Sequence, residues 1–332
     1  MATPIQKPSS PRQQLGQIVH LGLSSFLNTH HKEFSSKFQI LRPSESKFPL
    51  DQFFTAEAQN TQAAICSGGF KLSADILRHL PSLRLIVATT SGLNNIDLSE
   101  CRKRGISVIN AGNIYSADVA DLAVGMVIDL MRKISAGNRF VKTGLWPKQG
   151  DYLLGSKLGG KQVGIVGLGS IGVEVAKRLE AFGCKISYYS RKKKPCVSYT
   201  FYSNIHKLAS VSDILVICCA LTEQTRHLIN REVLLTLGKE GLIVNIARGA
   251  IIDEKELVRC LLQREIAGAG LDVFEHEPRV PQELFGLDNV VLSPHFAVYT
   301  EGASRHLEEH LIGNLEAFFS NRPLLSPVLD DE

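Results

Sequence analysis

The sequence lacks several features that would mark a specialised class of protein. Its seven cysteines form no CxxC pair and no Cys/His spacing that suits zinc. No apolar run is long enough to span a bilayer, so no membrane association is expected. The net charge of +4 is spread along 332 residues, which argues against a nucleic-acid-binding surface. We therefore expect an ordinary globular protein with neither nucleic-acid nor membrane partners.

Residues 1–14 contain no acidic residue and are rich in Pro, Ser and Gln. A disordered tail is the first interpretation. A plastid transit segment is the alternative, but arginine density and amphipathic order are missing. The cysteines are odd in number and several lie within apolar runs, which favours a reducing compartment. We expect a cytoplasmic protein rather than a plastid one.

Strands and helices alternate along the chain, which predicts an α/β fold with parallel sheets. A first series has strands near residues 17–23, 63–66, 83–89 and 106–109, and one long amphipathic helix is predicted over 116–142. A second series has six strands, as a complete dinucleotide-binding fold does. These strands are Gln162–Val166, Lys185–Tyr189, Ile214–Cys218, Leu242–Asn245, Gly268–Asp272 and Val290–Leu292.

A C-terminal helix over 301–319 lies outside the second series, so we expect it to return to the first domain. The predicted domains are therefore residues 1–115 with 300–332, and residues 116–299. Both are expected to be Rossmann-like, with doubly wound parallel sheets and the active site in the cleft between them.

A GxGxxG motif stands between the first strand and the first helix of the second series, which is the context the motif requires. Its glycines allow a tight turn, close approach of a pyrophosphate and close packing of helix on strand. The motif therefore predicts a dinucleotide site. Its residues are Gly167, Leu168, Gly169, Ser170, Ile171 and Gly172.

The end of the next strand indicates which dinucleotide is bound. An NAD enzyme usually has Asp or Glu there to hold the ribose hydroxyls, but this strand runs into Ser190, Arg191 and Lys192. A hydroxyl and a guanidinium suit a 2′-phosphate, so NADPH is favoured over NADH. A solvated basic turn or a nuclear-localisation-like run is the alternative interpretation.

Three motifs follow successive strands of the second series, where open α/β sheets place their ligands. They are Asn245–Gly249, Leu271–Pro278 and Ser293–His295. These segments resemble those of the D-isomer-specific 2-hydroxyacid dehydrogenase family, and the resemblance runs from the Ser91–Gly92 turn to the C-terminal helix. The missing strand-tip acid and the overall length most resemble plant glyoxylate/hydroxypyruvate reductases and hydroxyphenylpyruvate reductases.

Reduction of a 2-oxo acid needs a hydride on C2 and a proton on the carbonyl oxygen. His295 is the expected proton donor, because imidazole titrates near neutral pH. The resemblance implies that Glu277 is the carboxylate that favours the protonated ring and orients it. Arg248, which keeps its charge, is expected to bind the substrate carboxylate and to polarise the carbonyl.

Further roles are implied by the resemblance. The amides of Ser91 and Gly92 would hold the substrate carboxylate, and Asp272 would orient the nicotinamide amide. Ile246, Ala247 and Arg248 would contact the cofactor. A homodimer formed through the cofactor domain is also implied. Trp146 is then either a contact to the partner subunit's pocket or a simple packing residue.

The other histidines give no functional prediction. His30 and His31 lack partner ligands, so no metal is expected, and His276 is expected to face solvent. Two alternatives to the reductase stay open. One is a nucleotide-sensing protein similar to the corepressors that share this fold. The other is a family dehydrogenase of different specificity, such as formate or phosphoglycerate dehydrogenase.

Overall fold

The computed structural model describes residues 15–22 and 31–326. The predicted tail, His30 and the side chain of His31 lie outside the described residues. The chain divides into two compact units, residues 1–114 with 301–332 (unit 1) and residues 115–300 (unit 2). The boundaries expected from the sequence differ from these by one residue.

Unit 1 contains a five-stranded parallel sheet in the order β2-β1-β3-β4-β5. Both faces of β3 and β4 are buried, as expected for a parallel sheet covered on both sides. The strands are β1 (Gly16–Leu21), β2 (Phe38–Leu41), β3 (Ala63–Cys66), β4 (Leu85–Ala88) and β5 (Ser107–Ile109). The helices up to the end of β5 are α1 (His31–Lys37), α2 (Leu50–Ala56), α3 (Ala74–Arg78) and α4 (Leu98–Lys103).

Unit 2 contains a seven-stranded parallel sheet in the order β12-β11-β10-β9-β6-β7-β8. The strands are β6 (Gln162–Val166), β7 (Lys185–Tyr189), β8 (Thr200–Tyr202), β9 (Ile214–Ile217), β10 (Leu242–Asn245), β11 (Gly268–Leu271) and β12 (Val290–Leu292). The helices are α5 (Ser116–Arg132), α6 (Ile134–Lys142), α7 (Trp146–Gln149), α8 (Ser170–Ala181), α9 (Ile205–Ser210), α10 (Arg231–Leu237) and α11 (Glu254–Leu262).

The α/β fold and the six strands predicted for the second series are confirmed. Two short strands were not predicted. β2 and β8 have four and three residues and lie at the edges of their sheets, where only one neighbour covers them. Apart from Phe38, their side chains are exposed or only partly buried, and their apolar pattern is weak.

The prediction of one helix over 116–142 is wrong. The chain turns at Lys133, whose φ of 55° lies in the left-handed region and ends α5. The Asp129 carboxylate accepts hydrogen bonds from both the backbone N–H and the hydroxyl of Ser135, which fixes the start of α6. The apolar periodicity continues across the turn, so it does not reveal the break.

The C-terminal helix, α12 (Glu301–Phe319), packs against the unit 1 sheet. The Phe319 ring lies 5.9 Å from the Phe38 ring, between centroids, and occupies the space where a side chain on Gly16 would lie. The His310 ring also bonds the carbonyl oxygen of Asn110 at 2.9 Å. Aromatic packing therefore holds the last helix beside β1 and β2, and the His310 bond ties it to the residue after β5.

In the described part of the chain, no helix combines the length and the apolar character needed to cross a bilayer. Within the same residues, no group of three or more His, Cys, Asp or Glu side chains is placed to hold a metal ion. The seven cysteines are free thiols, and four of them are buried.

Candidate active site

The glycine motif forms the turn between β6 and α8. Gly167 has a φ of 98°, and a Cβ there would lie 2.6 Å from the backbone nitrogen of Cys219. A Cβ on Gly172 would overlap the Gly167 carbonyl oxygen, whereas a Cβ on Gly169 would have no atom within 4 Å. Gly167 and Gly172 are thus required by packing, while Gly169 leaves open space before the first turn of α8. These are the positions and the space that a dinucleotide pyrophosphate needs.

The turn after β7 is held internally and presents cationic side chains. The Ser190 hydroxyl donates to the Lys192 carbonyl at 2.6 Å, and the buried Tyr188 hydroxyl accepts from Lys194 N–H at 2.8 Å. Arg191 is exposed and has no hydrogen-bond or ion-pair partner within residues 15–22 and 31–326. Its guanidinium is thus available to an anion, and the turn contains no acid.

Arg248 follows β10 on a turn that Asn245 organises. The Asn245 side chain, which is buried, accepts from Ala247 N–H at 3.1 Å and donates to the Arg248 carbonyl at 3.0 Å. Burial lowers the pKa of the Arg248 guanidinium, and the charge of Glu277 opposes that effect. The pKa of arginine is high enough that the group keeps its charge.

His295 and Glu277 form a hydrogen-bonded pair. His295 Nδ1 lies 2.8 Å from Glu277 Oε2, and Glu277 Oε1 accepts from the Phe274 N–H at 3.0 Å. Burial would raise the pKa of the Glu277 carboxyl. The bonds from His295 and Phe274, with the charges of His295 and Arg248, nevertheless hold it below its usual range. An ionised carboxylate stabilises a protonated imidazole, and His295 Nε2 has no partner among the described residues.

Asp272 holds the turn that carries His295. It is fully buried, and its Oδ1 accepts from the Ser293 hydroxyl at 2.5 Å and from Phe296 N–H at 3.0 Å. Its Oδ2 accepts from Ala297 N–H at 3.2 Å, and its carbonyl oxygen accepts from His295 N–H. The sequence did not assign this role. The role of Asp272 toward a nicotinamide amide stays a prediction.

The turns that carry Arg248 and Glu277 touch through their backbones. A side chain on Gly249 would overlap the backbone of Phe274. β10, β11 and β12 are neighbours in the sheet and run parallel. The three predicted motifs therefore lie side by side at the carboxyl ends of these strands. The structure thus brings Arg248, Glu277 and His295 together in unit 2.

Three other predicted cofactor contacts have buried side chains. The side chains of Leu168, Ile246 and Ala247 are buried in the core of unit 2. Any contact they make with a dinucleotide would therefore come from their backbone atoms. Their assignment to the cofactor site stays a prediction.

In unit 1, Ser91 and Gly92 follow β4. The Ser91 hydroxyl donates to the Gly112 carbonyl at 2.9 Å, and the carbonyls of Ser91 and Gly92 accept from Asn110 and Thr90. Neither the Ser91 nor the Gly92 amide donates to any residue that the structure describes. These amides suit a carboxylate, and their role in substrate binding stays a prediction.

A buried hydrogen-bonded pair of a histidine and a serine in unit 1 was not predicted. His20 Nε2 and the Ser67 hydroxyl lie 2.9 Å apart, and His20 is 5% exposed. Burial, with a smaller contribution from the positive charge of Arg42, lowers the pKa of His20 to about 4. The only sequence signal is a histidine within the apolar run of β1. His276 is exposed as predicted, and Trp146 is 57% exposed rather than packed within this chain.

Unit 2 thus combines a dinucleotide turn with a His–carboxylate pair and a cationic turn at the carboxyl ends of the strands of a parallel sheet. This combination defines an oxidoreductase that uses a nicotinamide dinucleotide. The family model for the NAD-binding domain of D-isomer specific 2-hydroxyacid dehydrogenases matches residues 124–297.

Individual relatives agree with that match. A glyoxylate/hydroxypyruvate reductase of Arabidopsis thaliana is 54% identical over 297 residues, which cover 90% of this chain and 91% of that protein. A hydroxyphenylpyruvate reductase of Plectranthus scutellarioides is 42% identical, with 96% and 100% covered. An NADPH-dependent glyoxylate/hydroxypyruvate reductase of Sinorhizobium meliloti, solved with NADP and malonate, has a TM-score of 0.85 at 31% identity, with 94% and 96% covered.

The chain belongs to the D-isomer specific 2-hydroxyacid dehydrogenase family. The resemblance expected from the sequence is thus confirmed, and so is the prediction of an NAD(P)-dependent oxidoreductase acting on 2-hydroxy or 2-oxo acids.

Proposed function

We propose that this chain is an NADPH-preferring reductase of a small 2-oxo acid, either glyoxylate/hydroxypyruvate or hydroxyphenylpyruvate, and that it forms the D-2-hydroxy acid. The observation that carries the proposal is the 2.8 Å bond between His295 Nδ1 and Glu277 Oε2 beside the Arg248 turn. A pair of this kind supplies a proton at neutral pH, which reduction of a carbonyl requires.

The proposed reaction converts the C2 carbonyl into a CH–OH group. A bound reduced nicotinamide supplies the hydride that C2 gains. His295 donates the proton from Nε2 to the carbonyl oxygen as negative charge develops there. Glu277 stabilises the protonated ring and fixes its orientation through Nδ1. The proton therefore leaves His295 at the atom that the Glu277 bond leaves free.

Arg248 is proposed to bind the substrate carboxylate and to polarise the carbonyl. A guanidinium can make two parallel hydrogen bonds to a carboxylate, which fixes the plane of the 2-oxo acid. Arg248 is partly buried, and burial strengthens such a charge pair because water screens it less. The bond from Arg248 Nη1 to the Ala247 carbonyl, at 2.6 Å, restricts its orientation.

The preference for NADPH rests on the turn after β7. Arg191 is exposed and free of partners among the described residues, and no carboxylate at this turn would repel a 2′-phosphate. The Sinorhizobium relative, which is described as NADPH-dependent, supports this preference. Ser190 and Lys192 are proposed to complete the phosphate contacts.

The test is a steady-state assay of NADPH oxidation with glyoxylate, hydroxypyruvate and 4-hydroxyphenylpyruvate as substrates. We expect turnover with at least one of them, and the kcat/KM values rank the substrates. The absence of NADPH oxidation with all three would overturn the proposal and favour a nucleotide-sensing protein. A higher kcat/KM for NADH than for NADPH would overturn the cofactor preference alone.

We also propose a homodimer. In unit 2, Val141, Trp146, Leu153 and Leu154 are each more than half exposed, and exposed apolar side chains in one segment favour an interface. Light scattering coupled to gel filtration should give a mass near twice 36.5 kDa. A monomeric mass at micromolar concentration would contradict the dimer.

A further inference from the structure

His227 connects the two turns that carry Arg248 and Glu277, although it belongs to neither. Its backbone N–H donates to the carbonyl of Ala250 at 2.9 Å, two residues after Arg248. Its ring nitrogen Nε2 lies 2.9 Å from Glu275 Oε1, two residues before Glu277. One residue therefore bonds both turns, with its backbone to one and its side chain to the other.

Glu275 is a well-held partner for this ring. It is 11% exposed, and its carboxylate also accepts from the Arg226 guanidinium at 3.0 Å. Its backbone N–H donates to the Glu254 carboxylate at 3.0 Å. A bond to Glu275 therefore acts on a fixed point of the turn rather than on a mobile side chain.

The backbone of His227 has a conformation that non-glycine residues seldom adopt. Its φ is 50°, in the left-handed region, where a side chain is disfavoured. The neighbouring bond from Ile229 N–H to the Ile251 carbonyl, at 3.1 Å, also joins the segment that contains His227 to the residues after Arg248. The conformation allows the N–H to reach Ala250 while the ring reaches Glu275.

We propose that His227 is a positioning residue for the reaction, and that its bond to Glu275 sets the place of the Glu277–His295 pair relative to Arg248. The proposal rests on the reductase function proposed above. Proton transfer and carboxylate binding depend on the mutual placement of these groups, so a small displacement of one turn lowers the rate. A loosened Glu277 would also stabilise the protonated His295 ring less.

The test compares His227→Ala, which removes the ring, with His227→Gln, whose amide can still donate to Glu275. Arg139→Gln is the matched control, because it removes a 2.6 Å ion pair to Asp288 in the same unit without touching a catalytic turn. The readouts are kcat and KM across pH with the best 2-oxo acid, and the Kd of NADPH from nucleotide fluorescence.

We expect His227→Ala to lower kcat about tenfold. It should also move the alkaline limb of the pH profile to lower pH, with the NADPH Kd unchanged. His227→Gln should recover most of both losses, and Arg139→Gln should match the wild type. Wild-type kcat and pH profile in His227→Ala would overturn the proposal. So would a loss of kcat with an unmoved pH limb, since loss of folded protein alone does that.

A second readout separates this proposal from the proposed function. NMR titration of the His295 ring, assigned by the signal missing in His295→Asn, requires no turnover. If the wild type reduces none of the 2-oxo acids, the proposed function fails. The positioning role is then upheld by a lower titration midpoint in His227→Ala but not in Arg139→Gln, and overturned by unchanged midpoints.

Discussion

The two units place a histidine at the carboxyl end of a parallel sheet in opposite environments. In unit 1, His20 is 5% exposed, its partner is the uncharged hydroxyl of Ser67, and Arg42 lies near it. In unit 2, His295 is 43% exposed and its partner is the Glu277 carboxylate. Burial beside a cation favours a neutral ring, whereas a carboxylate favours a protonated one. The surroundings of each ring therefore separate a structural histidine from the proposed proton donor.

The first strand of each unit ends in a glycine of the same conformation. Gly22 after β1 and Gly167 after β6 both have a φ of 98°. A side chain on Gly22 would meet Phe70 and Ser67, so this glycine allows close packing within unit 1. Only Gly167 is followed by the second and third glycines of a dinucleotide turn. A single turn glycine belongs to the fold, and the other two make it a candidate nucleotide site.

The largest expected effect comes from replacing each histidine in turn. His295→Asn should lower kcat for the 2-oxo acid about 1000-fold, because it removes the proton donor. The NADPH Kd should stay unchanged. His20→Gln should keep kcat within about threefold, since its amide can still reach the Ser67 hydroxyl. Equal losses of kcat in the two variants would contradict the assignment of the two histidines.

The second effect is on stability in acid and concerns His20. Because its folded pKa of about 4 lies below the unfolded value of 6.5, the neutral ring stabilises the fold fully above pH 6.5. This stabilisation, about 3 kcal/mol, should be lost as the pH falls from 6.5 to 4. Urea unfolding of wild type and His20→Gln across this range measures it. An identical pH dependence in the two proteins would show that His20 does not contribute.

The third effect isolates the carboxylate that distinguishes the two histidines. Glu277→Gln keeps an acceptor near His295 but removes the charge, so kcat/KM should fall about 30-fold. The protonated ring loses its stabilisation, and the alkaline limb of the pH profile should therefore move to lower pH. Ser67, the uncharged partner of His20, offers the control, because Ser67→Ala should not move that limb. An unmoved limb in Glu277→Gln would argue against the pair as the proton source.

The smallest effect concerns the nucleotide turn that only unit 2 contains. Arg191→Ala should raise the KM of NADPH about tenfold and that of NADH less than twofold, because only NADPH has a 2′-phosphate. Lys193→Ala removes one positive charge from the same turn and serves as the control. Equal changes in both KM values for Arg191→Ala would show that it does not contact the 2′-phosphate.

Features that depend on contiguous residues could be predicted from the sequence. The buried strands of unit 2 and the glycine turn at Gly167 are of this kind, since apolar runs and glycine spacing are local. The edge strands β2 and β8 were not predicted, because partly buried strands have weak apolar patterns. The helix break at Lys133 was not predicted, because the apolar periodicity continues across it. The break depends instead on the hydrogen bond from Ser135 N–H to the Asp129 carboxylate.

The sequence by itself determined the α/β class and the dinucleotide turn. It also indicated Arg248 and His295 as candidate residues, since each belongs to a short motif after a strand, and the family resemblance added Glu277. Only the tertiary structure decided how these groups are held. Asp272, Ser293 and His227 act through hydrogen bonds to residues that are distant in the chain. Such bonds depend on which strands become neighbours, and that depends on packing rather than on local residue order. The same packing makes His20 a buried neutral ring and leaves His295 beside a carboxylate.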